Sequence, residues 1–311
     1  MDVRNDVDGG IEAYRAAIAA DPGLADAHSN LGVLLEKERG DVDGAEAAYH
    51  AAIAADPEHS SGLTNLGGLL LNKRKNIDGA EEVLRTASML PDCAEAYFHL
   101  GNLLRHERKD IDGAEAAIRA SIAEKPGYAD ALSNLGSLLQ YERKDIGGAE
   151  AAYRAAIAAN PGLAAAHHGL GNLLYTERED MDGGEAAYRK AIAADPGHAH
   201  SHFNLGCLLE YFRKDIDGAA AAYCAALQAD PGDAQVNACA ARALDNLGLV
   251  LARRAFTIEK GVRENGGGDL SKAVALWDQA VGHFSNAVTA GVDNGHLAMA
   301  KKSAAGLRGR G

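Results

Sequence analysis

One polar residue recurs in this sequence, immediately before a Leu-Gly pair. In the six full repeats the residue before that pair is Asn30, Asn65, His99, Asn134, Gly169 and Asn204. Asparagine is not favoured in a helix interior, so neither helix propensity nor capping explains its recurrence. An amide offers a hydrogen-bond donor and an acceptor together, so a ladder of these side chains could bind the backbone of an extended peptide. The alternatives are that each amide bonds the backbone of a neighbouring repeat, or that repeat duplication has copied it.

The residues around this ladder vary and include aromatic side chains. Asn102 and Asn172 directly follow a Leu-Gly pair and could add further amides. Aromatic residues lie just before the Leu-Gly pair or about one helical turn after it, at Phe98, Phe203, Tyr141, Tyr175 and Tyr211. Aromatic anchors with a few polar neighbours are typical of interface hot spots. We therefore expect these five residues to form pockets for the side chains of a bound peptide.

Patterns for catalysis or metal binding have little support. The histidines that cluster in the sequence are His167, His168, His198, His200 and His202. Zinc sites usually include cysteines or a fixed helical pair such as HExxH. The run from His198 to His202 instead spans a loop and a helix start, so that only its first and last members could face alike. The DIDGAE motif resembles the start of a calcium loop, but the twelfth residue counted from Asp110 is Ser121, where glutamate is required. We expect a protein that is not an enzyme and that carries no metal or cofactor.

A fixed period organises the elements that would position these residues. The seven prolines fall at steps of 35 residues, with a single step of 34. Each repeat holds two helical segments, and in ADALSNLGSLLQYERK, from residue 129 to residue 144, apolar residues recur at helical spacing. Gly136 lies inside this first helix although glycine costs about 1 kcal/mol there. We explain it by a close approach of the second helix.

The second helix is expected to begin at a capping box. Asp112 is followed three residues later by Glu115, and the same spacing follows Asp43, Asp78 and Asp182. In a capping box, an acidic N-cap accepts a bond from one free N–H while the glutamate reaches back to another. Proline and glycine, as in Pro161-Gly162, are expected to end the helix.

This pattern resembles the tetratricopeptide repeat. The matching residues in one repeat are Leu135-Gly136, Ala149, Tyr153, Ala156 and Pro161, and the pattern covers about residues 6–233. The resemblance implies an all-α fold, a right-handed superhelical solenoid of antiparallel helix pairs, with the first helices lining a concave groove. One extra residue per repeat predicts a longer first helix or a looser turn near the ERKDI motif. Pentatricopeptide repeats, which bind RNA, have a similar length, but the Leu-Gly, tyrosine and proline positions fit the tetratricopeptide pattern.

Two groups of tetratricopeptide proteins suggest what the amides could bind. The SNLG motif at residues 133–136 is similar to the repeats of O-GlcNAc transferase, which carry a similar ladder; that enzyme's glycosyltransferase portion has no counterpart in this chain. Chaperone-binding members hold a terminal carboxylate with two asparagines and several basic residues. Asn102 with Asn134 could supply the amides, but Glu95 stands where a positive charge is required. Capture of a carboxyl terminus is therefore not expected.

The repeats divide the chain into four predicted segments. Residues 1–24 form a half repeat with only a second helix, and residues 25–233 form six repeats. Residues 234–292 are predicted to form an irregular, extended helical pair, and residues 293–311 a capping helix with a basic tail. Terminal elements of a repeat array need a polar outer face, which explains the different sequence of the last segment.

Composition narrows the partners and the compartment. With 31 Lys and Arg against 44 Asp and Glu, the net charge of −13 disfavours nucleic-acid binding. The four cysteines form no CxxC pair, which favours free thiols in a reducing compartment. The start of the chain lacks a signal-peptide core, and no apolar run is long enough to span a membrane. We expect a soluble, cytoplasmic protein with protein or peptide partners.

These observations predict a non-catalytic scaffold that binds an extended segment of a partner protein in its concave groove. One alternative is a structural subunit that docks into a larger assembly through its ends and convex face, which the half repeat at the start favours. Another is the non-catalytic arm of an enzyme whose catalytic part lies outside this sequence.

Overall fold

The computed structural model describes residues 3–230 and, beyond them, scattered helical positions between residues 248 and 305. Contacts divide the chain into an N-terminal unit, Met1–Ala159, and a C-terminal unit, Asn160–Gly311. The predicted pair over 234–292 and the cap and tail over 293–311 lie outside the described residues, apart from those scattered positions. Within residues 3–230 every regular element is helical, which confirms the predicted all-α fold.

Each repeat holds a first and a second helix. The N-terminal unit begins with α1 (Val3–Ala20), followed by the pairs α2 (Ala25–Leu34) and α3 (Val42–Ala55), α4 (Ser60–Leu69) and α5 (Ile77–Ala87), α6 (Ala94–Leu103) and α7 (Ile111–Glu124), and α8 (Ala129–Leu138) and α9 (Ile146–Ala159). The C-terminal unit holds α10 (Ala164–Thr176) with α11 (Met181–Ala194), and α12 (Ala199–Leu208) with α13 (Ile216–Ala229). No helix of the described residues combines the length and the apolar character that a membrane crossing requires.

The glycine of the Leu-Gly pair lets the two helices of a repeat approach closely. A Cβ atom on Gly136 would lie 2.8 Å from Cδ1 of the Tyr153 ring, and one on Gly67 would lie 2.6 Å from the Leu84 side chain. Tyr153 is only 2% exposed and Leu84 is fully buried, so neither neighbour has room to move. The predicted reason for glycine at this position is confirmed.

The predicted capping box is wrong. In α7 the N-cap is Asp110, whose Oδ1 accepts a hydrogen bond from the Gly113 N–H at 2.9 Å, two residues before the expected cap. The cap lies earlier because the backbone N–H of Asp110 bonds the Leu104 carbonyl at 2.9 Å and so ends the preceding turn. Asp112 lies in the first turn of α7 and Glu115 directly after that turn, and both are available to bind a neighbouring repeat.

A wide turn accommodates the extra residue of the repeat. The first helices α2, α4, α6, α8 and α12 continue into five-residue π-helical turns, at Leu35–Arg39, Leu70–Arg74, Leu104–Arg108, Leu139–Arg143 and Leu209–Arg213. A left-handed residue follows each turn, which is Gly40 in one case and a lysine such as Lys144, with φ 59°, in the others. The looser turn predicted near the ERKDI motif is confirmed.

Arginines at the ends of these turns tie successive repeats together. Arg143 donates to Glu115 of the preceding repeat at 2.7 Å and also bonds Asp112. Glu115 also pairs with Arg119 on its own helix at 2.8 Å. Equivalent contacts link Arg74, Arg108 and Arg213 to Glu46, Glu81 and Glu185 of the repeats before them. An exposed salt bridge contributes about 0–1 kcal/mol to stability. A single pair therefore has little effect, and the stabilisation comes from several such pairs along the repeats.

Candidate functional site

The ladder residues lie on one face of the first helices. We define the ladder face as the ladder residues and the residues three positions after them. In the N-terminal unit it comprises Asn30, Val33, Asn65, Gly68, His99, Asn102, Asn134 and Ser137, all of which are half-buried or exposed. In the C-terminal unit it comprises Gly169, Asn172, Asn204 and Cys207, of which only Gly169 is buried. The amides are therefore accessible and do not turn into the packed interior.

The asparagines of adjacent repeats bond each other through their side chains. In the N-terminal unit, Nδ2 of Asn134 donates to Oδ1 of Asn102 at 2.7 Å, and Nδ2 of Asn65 donates to the Ser29 hydroxyl at 3.3 Å. Within the described residues, the Asn134 carbonyl oxygen and the Asn102 amide nitrogen make no other hydrogen bond. The bond between them uses one N–H of Asn134 and one lone pair of Asn102, so the Asn102 amide nitrogen and the Asn134 carbonyl oxygen stay open as donor and acceptor.

The C-terminal unit repeats this arrangement with two additional partners. Nδ2 of Asn204 donates to Oδ1 of Asn172 at 2.7 Å, and the Tyr188 hydroxyl donates to the same oxygen at 2.8 Å. Nδ2 of Asn204 also lies 3.0 Å from Nε2 of His168. The imidazole therefore accepts through Nε2 when it is neutral. The alternative interpretation was that each amide only bonds the backbone of a neighbouring repeat. These amides do bond a neighbouring repeat, but they bond its side chains and not its backbone.

Several other polar residues of the first helices serve the buried tyrosines of the second helices. Tyr49 donates to Glu36 at 3.0 Å, and Tyr223 donates to Glu210 at 3.0 Å. Tyr153 donates to Oε1 of Gln140 at 3.2 Å. Nε2 of that glutamine has no partner, which makes it the one such buried side-chain nitrogen or oxygen within the described part of the chain. Because a buried hydroxyl needs an acceptor, these residues have a structural reason to be polar.

Arg105 is bound by two side chains of the next repeat. It is only 9% exposed, and its guanidinium donates to Glu142 at 3.2 Å and to the Ser137 hydroxyl at 3.1 Å, both in the next repeat. A buried charge needs an ion pair and further hydrogen bonds, and this one has both. Arg105 is therefore not an open positive charge of the kind that would capture a carboxyl terminus.

The aromatic candidates differ in accessibility. Tyr141 and Tyr211 are 45% and 46% exposed. Tyr175 is half-buried, and its ring meets the ring of Phe212 edge to face, with centroids 5.4 Å apart. Phe203 is only 8% exposed, because its ring lies 5.8 Å from that of Tyr223 in the core of its repeat. Phe203 is therefore a core residue and not an accessible pocket residue, contrary to the expectation from the sequence.

Phe98 belongs to an aromatic group that sequence reasoning missed. Its half-buried ring lies 5.2 Å from the ring of Tyr128 in the next repeat and 5.4 Å from that of His99. Burial lowers the pKa of His99, and the charge of Lys37 lowers it further against the opposing effect of Glu95. His99 is therefore neutral at pH 7. Tyr128 precedes α8, so it lies outside the helical spacing that points to the other aromatic residues.

Three of the clustered histidines lie close together in the C-terminal unit, where His168 and His198 are half-buried and His200 is exposed. The ring of His168 lies 5.1 Å from that of His198 and 6.3 Å from that of His200. Burial lowers the pKa of His168 to about 4, and His198 and His200 add to this effect. Nδ1 of His198 accepts from the Ser201 N–H at 3.2 Å and so caps α12. Among the residues that the structure describes, no three His, Cys, Asp or Glu side chains are arranged to hold a metal ion.

Comparison with known proteins supplies a family and several structural relatives. The family model described as Tetratricopeptide repeat matches residues 3–60, 35–88, 76–129, 133–199 and 177–234. No curated protein matches the chain. A chain of the APC/C hetero-tetramer Cut9–Hcn1 is similar, with a TM-score of 0.65 and 16% identity over 76% of this chain and 46% of that one. This chain thus spans less than half of that relative.

Two further solved structures are similar in fold. PilF of Pseudomonas aeruginosa has a TM-score of 0.57 and 22% identity over 67% of this chain and 93% of that one. Human IFIT1, in a dimer with m7Gppp-AAAA, has a TM-score of 0.62 and 15% identity over 91% of this chain and 66% of that one. At these identities the likeness shows the fold alone.

Proposed function

The chain belongs to the tetratricopeptide repeat family, a fold that supports protein–protein interaction, and from that premise we propose that it is a non-catalytic scaffold binding an extended segment of a partner protein along its ladder face. The observation that carries this proposal is the half-used pair of Asn102 and Asn134. A pair with a purely structural role needs only the bond between the two side chains. Here the pair also presents an open donor and an open acceptor.

An extended peptide has the matching groups. Its backbone alternates N–H donors and carbonyl acceptors, so one carbonyl can accept from Nδ2 of Asn102 while an N–H donates to Oδ1 of Asn134. The existing bond between the two amides fixes their orientation before a ligand arrives, which lowers the entropic cost of binding. Because such bonds do not depend on the ligand's side chains, sequence preference must come from accessible residues nearby, among which Tyr141 is 45% exposed.

The experiment that tests the proposal removes the open donor and keeps the internal bond. In Asn102→Asp, a carboxylate oxygen still accepts from Asn134, but the outward N–H is lost. The probe is a peptide selected on the whole protein from a library of short random peptides. We expect its affinity to fall about tenfold, since a lost hydrogen bond together with an unpaired ligand carbonyl costs about 1–2 kcal/mol.

A matched control separates this effect from added charge. Asn72→Asp introduces the same negative charge at an exposed position in the π-helical turn that follows α4. It should leave the affinity within about twofold, because an exposed charge acts weakly at a distance. If the two variants weaken binding equally, or neither does, the open amide does not hold the ligand and the proposed binding mode fails.

A further inference from the structure

The N-terminal ends of α6 and α8 bring two aromatic rings and two carboxylates together in the N-terminal unit. Phe98 lies on α6 and Tyr128 precedes α8, and their ring centroids are 5.2 Å apart with the planes tilted by 45°. Both side chains are half-buried, so part of each ring remains accessible. Glu95 and Asp130 lie in the first turns of the same two helices and are exposed.

The two carboxylates act on the tyrosine and form no ion pair with any residue that the structure describes. Burial raises the pKa of Tyr128 to about 12, and the charges of Glu95 and Asp130 contribute in the same direction. Both carboxylates are thus close enough to make the area around the phenol negative. Within the described residues, neither forms an ion pair or a hydrogen bond, whereas Glu81 and Glu115 each bind two arginines.

One face of the tyrosine already holds a cation. Nζ of Lys125 lies 4.9 Å from the centroid of the Tyr128 ring, within the distance at which an ammonium is attracted to an aromatic face. Lys125 is exposed and lies in the loop between α7 and α8, so its side chain can leave the ring without disturbing the core. The neutral His99 beside Phe98 adds no repulsion.

We propose that this aromatic and acidic group, which we call the cation site, binds a lysine or arginine side chain of the partner segment. The inference rests on the proposed function, because the site lies beside the Asn102–Asn134 pair in the same two repeats. The aromatic faces attract the cationic head, and Glu95 and Asp130 neutralise its charge. Lys125 occupies one ring face in the free protein and competes with the ligand for it. The overall charge of −13 adds a long-range attraction for a basic segment.

The test compares two probes that differ only in charge. One is a blocked peptide of alternating glycine and arginine, and the other carries citrulline, a neutral isostere, in place of each arginine. Binding to the full chain is measured by titration calorimetry at low salt. We expect the citrulline peptide to bind about tenfold more weakly, and the double variant E95Q/D130N to lose most of this difference.

The control for the double variant is E58Q/E82Q, which removes the same charge from two other exposed positions. It should retain the arginine preference. The sharpest variant is Lys125→Met, which removes the internal competitor and should strengthen arginine-peptide binding about threefold beyond any general charge effect. Lys109→Met supplies the baseline, since Lys109 is an exposed lysine in the turn before α7.

Two results overturn the inference. One is that E95Q/D130N behaves like E58Q/E82Q; the other is that Lys125→Met binds no more tightly than Lys109→Met. Failure of the underlying function looks different. In that case Asn102→Asp has no effect on either peptide, whereas a failed cation site leaves both peptides sensitive to Asn102→Asp and equal in affinity.

Discussion

Acid should destabilise the C-terminal unit through His168. Nε2 of His168 accepts a hydrogen bond from the Asn204 amide at 3.0 Å, and its ring lies 5.1 Å from that of His198. Protonation would turn the acceptor into a donor that faces another donor, and it would bury a positive charge beside two further imidazoles. Burial, with His198 and His200, accordingly lowers the pKa of His168 to about 4.

The sign and the size of the effect follow from linkage. A histidine in the unfolded chain has a pKa of about 6.5, so the folded state binds the proton less tightly than the unfolded state. The contribution of the neutral His168 to the free energy of unfolding is therefore fully present above the unfolded-state pKa of about 6.5, and it is lost as the pH decreases towards 4. With these two pKa values, lowering the pH from about 7.5 to about 5 removes about 2 kcal/mol. The pKa of His198 is also lowered by burial, which adds to the loss in the same direction.

The assay is urea unfolding of the whole chain at about pH 7.5 and about pH 5, for the native protein and for His168→Gln. Glutamine keeps an acceptor for Asn204 but cannot be protonated, so the variant should lose about 2 kcal/mol less than the native protein between the two pH values. Arginine pairing lowers the pKa of Glu81, so that carboxylate stays charged throughout this range. If both proteins lose stability equally, His168 is not the group that titrates and the reasoning is refuted.

Two further predictions concern the frame that carries the ladder. Gly136→Ala should destabilise the protein by about 1–3 kcal/mol, because the new Cβ would lie 2.8 Å from the Tyr153 ring. Gly68→Ala is the control, since the atom nearest to its new Cβ belongs to His99 and lies 4.0 Å away. This variant should be neutral or stabilising by up to about 1 kcal/mol. Thermal unfolding measures both, and equal effects would contradict the close approach of the two helices. Lys144→Gly should raise the free energy of unfolding by about 1 kcal/mol in chemical denaturation, because φ is 59° at this position and glycine adopts that conformation without strain; a loss of stability would contradict this.

The sequence period predicted the helix pairs of the repeats well, because the period reflects how the two helices pack. The 35-residue step, the glycine at position 136 and the buried Tyr153 all follow from one requirement, that two helices meet without a gap, and the structure shows each of them. The wide turn was predictable as an extra residue, but its π-helical form was not. The capping assignment failed because Asp110 and Asp112 are both plausible caps, and only the preceding left-handed residue decides between them.

The candidate site was harder to predict because its contacts cross between repeats. The sequence shows that Asn134 recurs in register, but not that it bonds Asn102, 32 residues away. The aromatic pattern treats Tyr141 and Tyr175 alike, but they occupy successive positions in their repeats and therefore differ in exposure. Tyr128 escaped notice because it stands in a loop, and loop side chains follow no helical period.

The most direct test of the central claim is a crystal structure of the protein with the library-selected peptide bound. The account predicts that the peptide lies extended on the ladder face, with a backbone carbonyl within about 2.7–3.2 Å of Nδ2 of Asn102 and a backbone N–H within the same distance of Oδ1 of Asn134. The account is contradicted if the peptide lies elsewhere on the protein, or if it crosses the ladder face while both amide groups remain bound only to water.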